Sequence, residues 1–303
     1  MSVSIVIPVF NGAAYLKACV ASCRDQGAAD IVVVDDGSTD ETATLAEALG
    51  VRLIRKENGG VGSARNVGAA ETASDWLMFL DVDDMLVPRA VSTLLEQAEA
   101  ARAGVVYGMV IERRAPGELA RLNGFAFCSG EPPRPAQANL DRCAIITPGS
   151  ALVRREVFLE AGGFVTGTEP MEDRDFWLRC GLLTRFAHAD SVVLDKTWRP
   201  GSHGSQAAKR IYRGWLAKRR LRMWGDDRGR DVRWIPDDRI LVTQAIKEAF
   251  HEQRWELLVP LLRDVEAVGA RNYWTVRARL TSLVIKRPPP VWIDASAGLP
   301  LND

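Results

Sequence analysis

The chain has 303 residues, of which 47% are hydrophobic and 26% are charged, and its 39 basic residues balance its 39 acidic residues. This composition excludes a disordered chain, and the neutral balance excludes a general nucleic-acid binder, because such proteins carry a basic excess. The five cysteines include no Cys-x-x-Cys pair, so they fit neither a disulfide scaffold nor a zinc ribbon.

Signals for the membrane and for secretion are weak in this sequence. The apolar run at 3–10 is far shorter than the roughly 20 residues of a spanning helix. The first residues lack the basic region and the cleavage site of a signal peptide. We therefore expect a cytoplasmic protein. A basic run at Lys218–Arg222, flanked by Trp215 and Trp224, could hold it peripherally at the inner face of the membrane, although such runs are more often solvated helix faces.

Short apolar runs alternate with helical patterns along the first hundred residues. This alternation is typical of a parallel sheet built from βαβ units, and β-branched runs such as Ile31–Val34 are typical of strands buried on both faces. We therefore predict an α/β fold in which a mainly parallel sheet is flanked by helices. The predicted strands are 3–9, 31–34, 51–55 and 76–80, and the predicted helices are 12–25, 40–49 and 61–71.

The pattern changes after residue 100. A strand is predicted at 105–111, whereas 112–142 is rich in Pro, Gly and Arg and is expected to be a long loop. From residue 205 onward the pattern is helical and is broken at Pro236. The predicted domains are an α/β domain at 1–205 and a helical appendage at 206–303. Between these parts we predict a strand at 151–153, an edge strand at 192–194, and helices at 154–161 and 172–183.

Polar residues follow each of the first four predicted strands. In open α/β sheets, ligands bind beyond the carboxyl ends of the strands, so these residues are expected to share one edge of the sheet. The sequence therefore predicts a ligand-binding site there. The candidates are Pro8, Val9, Phe10 and Asn11 after the first strand, Asp35 and Asp36 after the second, Gly60 after the third, and Asp83 and Asp84 after the fourth.

Asp35 and Asp36 admit two interpretations. Ser38 and Glu41 have the spacing of a capping box, and Gly37 suits a tight turn, so local structure explains part of the segment. Two adjacent carboxylates at a strand end repel each other unless a cation or a donor-rich ligand compensates them. The second argument favours a ligand role for one of the two.

The acidic cluster that contains Asp83 and Asp84 also admits two interpretations. Carboxylate oxygens are the ligands that Mg²⁺ and Mn²⁺ prefer, and few are needed when phosphates complete the shell. The alternative is a solvated acidic turn before a helix, where acids favour the helix dipole. Taken alone, the cluster does not decide between them.

Arg65 lies one turn inside a helix that opens with glycines. The segment Gly59–Asn66 lacks the glycine pattern of a dinucleotide fingerprint and the Gly-Lys-Ser/Thr of a P-loop. Arg65 could still reach an anion or a base edge, or it could be a surface residue.

Glu172 and Asp173 stand at the start of a predicted amphipathic helix. Helix N-termini favour acids in general, but a carboxylate there could also deprotonate an acceptor hydroxyl as a general base. The spacing does not choose between the two residues. His203 lies in a glycine- and serine-containing segment that could close over a metal ion or a diphosphate.

Six motifs follow one another along the first 205 residues: Ser4–Asn11, Val34–Asp40, Asn58–Val61, Ala64–Asn66, Asp81–Asp84 and Glu172–Asp173. Taken in this order they resemble the family 2 glycosyltransferases of the GT-A fold. Each motif is weak alone, but their shared order and spacing are specific. The resemblance implies a GT-A domain at 1–205 and an enzyme of surface polysaccharide or glycoconjugate synthesis.

On the donor side, the resemblance implies that the backbone of 8–10 and the carboxylate of Asp35 hold the nucleotide base, with Arg65 on the same side. Asp83 would touch the ribose or the metal, and Asp84 would be the principal ligand of a divalent cation, Mn²⁺ or Mg²⁺. His203 is a third candidate ligand, but its segment departs from the Tyr-Arg-x-His order that is usual in the family.

On the acceptor side, the resemblance implies that Asp173 is the general base and that Glu172 orients the acceptor. Transfer would then invert the anomeric carbon. The donor would be a nucleotide diphosphate sugar, in the first place a UDP-sugar, and the acceptor a hydroxyl of a glycan or of a lipid-linked molecule. The processive members' Gln-x-x-Arg-Trp element has only a partial counterpart at Arg210–Trp215, which favours single addition.

Two other functions are compatible with the same motifs. A non-catalytic protein of this shape would bind a nucleotide sugar without transferring it. A sugar nucleotidyltransferase shares the sheet and an acidic metal site, and it would release diphosphate from a nucleoside triphosphate.

Overall fold

Buried β-branched strands form the centre of the first part of the molecule. The computed structural model describes residues 1–115, 118–123, 128–141, 145, 147–197, 207–270 and 272–285. The chain divides into two compact units, Met1–Pro200 and Gly201–Asp303. The predicted division into an α/β domain at 1–205 and a helical appendage at 206–303 stays a prediction.

The first unit consists of a sheet and its flanking helices. Its strands are β1 (Val3–Val9), β2 (Asp30–Asp35), β3 (Arg52–Arg55), β4 (Trp76–Phe79), β5 (Asp84–Leu86), β6 (Val105–Ala115), β7 (Glu118–Asn123), β8 (Ala151–Arg154) and β9 (Phe186–Thr197). Its helices are α1 (Ala13–Arg24), α2 (Thr42–Ala48), α3 (Val61–Ala70), α4 (Ala90–Ala101), α5 (Arg134–Asp141), α6 (Arg155–Ala161) and α7 (Glu172–Leu183).

The sheet is mixed. The strands follow the order β3-β2-β1-β4-β8-β6-β9-β5, and β7 pairs with β6 outside this path. The pairs among β1 to β4 are parallel, whereas β8 is antiparallel to both of its neighbours. Since helices flank this mainly parallel half, the predicted fold class is confirmed.

Neighbouring residues of β1 face two hydrophobic cores. Ile5 and Ile7 belong to a cluster that includes Leu16 of α1, and Val6 belongs to a second cluster that includes Phe176 of α7. Side chains in a strand alternate between the two faces, so the sheet is covered on both sides. This double burial is why the strands are continuous apolar runs.

The structure differs from the sequence predictions in the middle of the chain. The loop predicted at 112–142 is wrong, because this region contains the end of β6, the paired strand β7 and the helix α5. Its charged and proline-rich composition conceals the alternation of a half-exposed hairpin. The edge strand predicted at 192–194 is part of β9, which lies between β6 and β5 and not at the edge.

The second unit is helical. It contains α8 (Ala207–Asp227), α9 (Asp238–His251), α10 (Leu258–Val268) and α11 (Tyr273–Ile285). Asp237, which follows Pro236, caps α9 by accepting a hydrogen bond from the main-chain N of Ile240 at 3.0 Å. Inside the unit, the indole of Trp215 donates to the buried carboxylate of Asp264 at 2.9 Å. Among the helices in the described ranges, none combines the length and the apolar character needed to cross a bilayer.

Candidate functional site

The loops that follow β1 and β2 are tied to each other. Asn11 has a φ of 50°, a left-handed conformation that short polar side chains tolerate. Its Oδ1 accepts a hydrogen bond from the N of Thr39 at 2.8 Å, and its own N donates to Oγ of Ser38 at 2.9 Å. Pro8 and Val9 are buried, whereas Phe10 is 52% exposed at the rim. An exposed ring at this place is suited to stacking on a planar base.

Asp35 brings a fully buried carboxylate to the end of β2. Its Oδ1 accepts a hydrogen bond from the N of Ser38 at 2.8 Å. Within the described part of the chain, its Oδ2 has no hydrogen-bond partner, although Nε of Arg55 lies 3.4 Å away. Burying a hydrogen-bond acceptor without a donor costs free energy, so a ligand N–H that donates to Oδ2 of Asp35 would gain binding free energy.

Asp36 fastens the loop that follows β3. Its Oδ1 accepts hydrogen bonds from Nζ of Lys56 and from the N of Gly59 at 3.0 Å, and its Oδ2 accepts one from the N of Gly60 at 2.9 Å. Because both oxygens are used within the protein, the structure favours a loop-holding role for Asp36 over the direct nucleotide contact predicted from the sequence.

Gly60 stands where this loop enters α3. Its φ is 87°, and a Cβ at this position would lie 2.8 Å from Oε1 of Glu169. The turn therefore requires glycine, and the carboxylate of Glu169 lies beside the start of α3.

Arg65 joins two carboxylates at the edge of the sheet. It is 3% exposed, its Nη1 donates to Oε1 of Glu172 at 2.9 Å, and its Nη2 donates to Oδ1 of Asp81 at 2.8 Å. Burial opposes the charged form of Arg65, but the two carboxylates outweigh it and raise the pKa of the guanidinium. The guanidinium for which the sequence predicts a nucleotide contact is thus already bound to two carboxylates.

Asp84 is engaged by a lysine. Nζ of Lys196 lies 3.3 Å from each oxygen of Asp84, and Oγ1 of Thr147 lies 3.1 Å from Oδ2 of Asp84 and 3.3 Å from Oδ2 of Asp81. Burial raises the pKa of Asp84 to about 6, against the opposing effect of Lys196. A metal ion at this carboxylate would have to displace the ammonium group. In the structure Asp84 takes part in an ion pair that joins β5 to β9, and its role as the principal metal ligand stays a prediction.

Five carboxylates lie in the chain after β4 and in the first turn of α7, and carboxylate oxygens are the ligands that a divalent cation prefers. They belong to Asp81, Asp83, Asp84, Glu172 and Asp173; among the described residues, Arg65 pairs with Asp81 and Glu172, and Lys196 pairs with Asp84. No group of three His, Cys, Asp or Glu side chains among the described residues could hold a metal ion without a substrate. Asp83, partly exposed on the same turn, fits a site completed by phosphate oxygens. His203 lies outside the described residues.

Glu172 and Asp173 form the first turn of α7. Glu172 is buried and bound to Arg65, whereas Asp173 is partly exposed and its Oδ1 accepts a hydrogen bond from the N of Arg174 at 2.6 Å. Burial, and after it the neighbouring carboxylate of Glu172, raises the pKa of Asp173 to about 7, while Arg65 opposes the shift. A carboxyl group with this pKa is suited to general-base chemistry at neutral pH. The geometry therefore favours Asp173 over Glu172 as the base.

Several residues that organise the site have no individual role predicted from the sequence. Asp81 belongs to the predicted acidic cluster, and Asn66 belongs to the Ala64–Asn66 motif. Thr147 and Lys196 carry no local signal, because they reach Asp84 from positions 63 and 112 residues away.

The chain matches known glycosyltransferases in sequence. Residues 4–162, more than half of the chain, match the family model described as glycosyl transferase family 2. The chain belongs to this family. A PGL/p-HBAD biosynthesis glycosyltransferase of Mycobacterium bovis is 35% identical over 204 residues, which cover 61% of this chain and 73% of that protein. An uncharacterized glycosyltransferase of Haemophilus influenzae is 28% identical over 186 residues, which cover 58% of this chain and 60% of the relative.

Coverage of the relatives is uneven. The glycosyltransferase GlyG of Streptococcus pneumoniae is 32% identical over 114 residues, 35% of this chain and 38% of that protein. The chain therefore spans less than two thirds of two of these relatives, 60% of one and 38% of the other.

Solved structures agree on the fold. The crystal structure of S. aureus TarS 1-349 in complex with UDP-GlcNAc has a TM-score of 0.64 at 18% identity, covering 88% of this chain and 82% of that one. The GT-A type of fold expected from the resemblance is thereby confirmed.

Gly60 offers a test of the loop between β3 and α3. We expect Gly60→Ala to lose about 1 kcal/mol of stability from its positive φ, and to lower the affinity for UDP about tenfold because the added Cβ displaces Glu169 and the loop. The matched control is Gly50→Ala, which has a φ of 65° and nothing within 4 Å of the added Cβ. It should lose similar stability and keep its UDP affinity. Denaturant unfolding measures the stability, and calorimetry measures the affinity for UDP. Equal UDP affinities in the two variants would contradict the predicted place of Gly60 in the ligand-binding site.

Proposed function

We propose that this family 2 member is an inverting glycosyltransferase that moves a sugar from a UDP-sugar to an acceptor hydroxyl. The observation that carries the proposal is the placement of Asp173 in the first turn of α7, beside the Arg65–Glu172 pair and at the same edge of the sheet as the buried carboxylate of Asp35. A general base near a nucleotide-binding edge is the combination that one-step sugar transfer needs.

The donor proposal rests on the loops after β1 and β2. Among the described residues, the buried Oδ2 of Asp35 has no hydrogen-bond donor, and the imide N–H of uracil supplies one, whereas the corresponding nitrogen of cytosine does not. Phe10, exposed after the neighbouring strand β1, offers a ring face to the base. These features favour a uridine nucleotide.

In the proposed reaction, Asp173 accepts the proton of the acceptor hydroxyl as its oxygen attacks the anomeric carbon. The bond between that carbon and the phosphate oxygen breaks, and its electron pair leaves with the nucleoside diphosphate. Attack from the face opposite the leaving group inverts the anomeric configuration in one displacement. Glu172, held by Arg65, keeps one buried oxygen that has no hydrogen-bond partner within the described ranges, and this oxygen could orient a sugar hydroxyl.

A divalent cation, Mn²⁺ or Mg²⁺, belongs to this proposal. Asp83, partly exposed at the edge, would hold it together with donor phosphate oxygens. When bound, such an ion offsets the negative charge on the departing diphosphate.

The acceptor is proposed only as a hydroxyl of a glycan or of a lipid-linked molecule. The cations of α8 between Lys218 and Arg222 are partly buried, and Nε of Arg219 pairs with Asp238 at 3.0 Å. Pairing within the helical unit favours a structural helix face. Peripheral membrane contact therefore stays a prediction from the sequence, and co-sedimentation with anionic vesicles tests it.

A screen of nucleotides tests the donor half of the proposal. A ligand that binds only the native state raises its melting temperature. We expect UDP and one UDP-sugar to stabilise the protein more than CDP, and more in the presence of Mn²⁺ than in EDTA. Stabilisation by a nucleoside triphosphate together with release of diphosphate would instead identify a nucleotidyltransferase.

Asp173→Asn tests the base. The amide cannot accept the proton, so we expect donor turnover, measured as UDP release with water as acceptor, to fall by at least about 100-fold. UDP binding should stay within error of the wild type. Asp190→Asn, at an exposed position, serves as the control. Full turnover by Asp173→Asn would exclude the base assignment, and binding without turnover by the wild type would identify a non-catalytic protein.

The pH dependence follows from the raised pKa of Asp173. The base works only when it is deprotonated, so turnover should be maximal above pH 7 and decline about tenfold per pH unit well below its pKa of about 7. An ordinary aspartate would keep full activity down to about pH 4. Rates measured from pH 5 to 9 distinguish the two, provided that the protein remains folded across the range.

A further inference from the structure

Arg65 connects the two halves of the proposed site. Its two terminal nitrogens bind Asp81, which follows β4, and Glu172, which begins α7. Its remaining nitrogen, Nε, is buried and has no hydrogen-bond partner among the described residues. A guanidinium that is 3% exposed and bound at both ends presents little surface to a nucleotide.

The residues beside Arg65 hold the same stretch of chain. Asn66 accepts a hydrogen bond from the N of Phe164 and donates one to its carbonyl oxygen, each at 2.8 Å. The guanidinium of Arg65 also lies 5.1 Å from the ring centroid of Phe164, a cation–π distance. Two residues of helix α3 thus fix the segment that leads into α7. Asn66 binds the main chain of Phe164, and Arg65 contacts the ring of Phe164 and the carboxylate of Glu172.

The charge of Arg65 matters because Glu172 and Asp173 are neighbours. Two adjacent carboxylates in one site repel each other, and a cation beside them offsets this repulsion. Arg65 binds Glu172 directly, and its charge opposes the rise in the pKa of Asp173 that burial and Glu172 cause. Arg65 therefore favours the deprotonated form of Asp173, the form that accepts a proton from an acceptor.

We propose that Arg65 is a positioning residue that acts through Glu172 and Asp81, fixing the first turn of α7 and with it the carboxylate of Asp173 that accepts the proton. This inference rests on the proposed function, in which Asp173 is the base. It replaces the nucleotide contact that the sequence suggests for Arg65.

The other charged groups described around α7 do not have the role proposed for Arg65. Asp81 acts on Asp173 with the same sign as Glu172, and Arg174 reaches it through a main-chain N–H. On the helices packed against α7, Arg155 donates to the carbonyl oxygens of Ser74 and Ala69. The exposed charged residues of these helices are Arg134, Glu156 and Glu160.

Two substitutions should move the pH profile of donor turnover in opposite directions. Arg65→Gln removes the cation that lowers the pKa of Asp173, so the acid limb should move up by about one pH unit. Glu172→Gln removes the neighbouring negative charge, so the acid limb should move down by a similar amount. Arg65→Lys keeps the charge and should restore the limb of the wild type at least in part.

The control variant is Arg179→Gln. Arg179 is buried on α7 itself, pairs with Asp175 at 2.8 Å and packs over Phe176, so its loss tests the effect of removing a buried arginine from the same region. We expect lower stability and an unmoved acid limb. Affinity for UDP should change little in Arg65→Gln, because Arg65 does not contact the nucleotide in this account. Loss of a direct contact with phosphate or base would instead lower the affinity about tenfold or more.

The outcomes separate this inference from the proposed function. Opposite shifts in Arg65→Gln and Glu172→Gln support it. A weakened UDP affinity with an unmoved acid limb in Arg65→Gln overturns it and restores the nucleotide contact. If Arg65→Gln does not fold, an unmoved limb in Glu172→Gln overturns it equally. Absence of turnover in the wild type overturns the proposed function and this inference with it.

Discussion

The ion pairs of Arg65 are the interaction on which the rest of the site depends. The guanidinium links two carboxylates: Asp81, which follows β4 and lies 16 residues from Arg65 in the chain, and Glu172 of α7, which lies 107 residues from it. Without this cation the two carboxylates would repel each other at the edge of the sheet, and burial of like charges is strongly unfavourable. Arg65 therefore holds two of the acidic side chains of this edge together.

This arrangement gives the edge two regions with different chemistry. On the side of β1 and β2, a buried carboxylate with an open oxygen and an exposed ring are suited to binding a planar base. On the side of α7, burial raises the pKa of a carboxyl group to the range in which it exchanges protons at neutral pH. Membership of glycosyl transferase family 2 agrees with both regions, and discrimination among donor sugars depends on a few contacts with the sugar.

The sequence predicts the regular elements of this chain better than its charged contacts. The predicted helix at 172–183 has the bounds of α7, because its acids mark the start and its apolar residues set the period. The strand ends follow from β-branched runs that stop at polar residues. The pairing of Asp84 with Lys196 could not be predicted, because it depends on β9 lying beside β5, far away in sequence. Nor does the spacing in the acidic cluster show that Asp84 is buried whereas Asp83 reaches the rim.

The central claim is that this edge transfers sugars with inversion, and the first anomer released from an α-linked UDP-sugar tests it most directly. Water replaces the unknown acceptor in this measurement, and proton NMR resolves the two anomers before they interconvert. Our account predicts that the β anomer appears first and that its formation requires Asp173. Initial release of the α anomer, or release that is unchanged in Asp173→Asn, would contradict it.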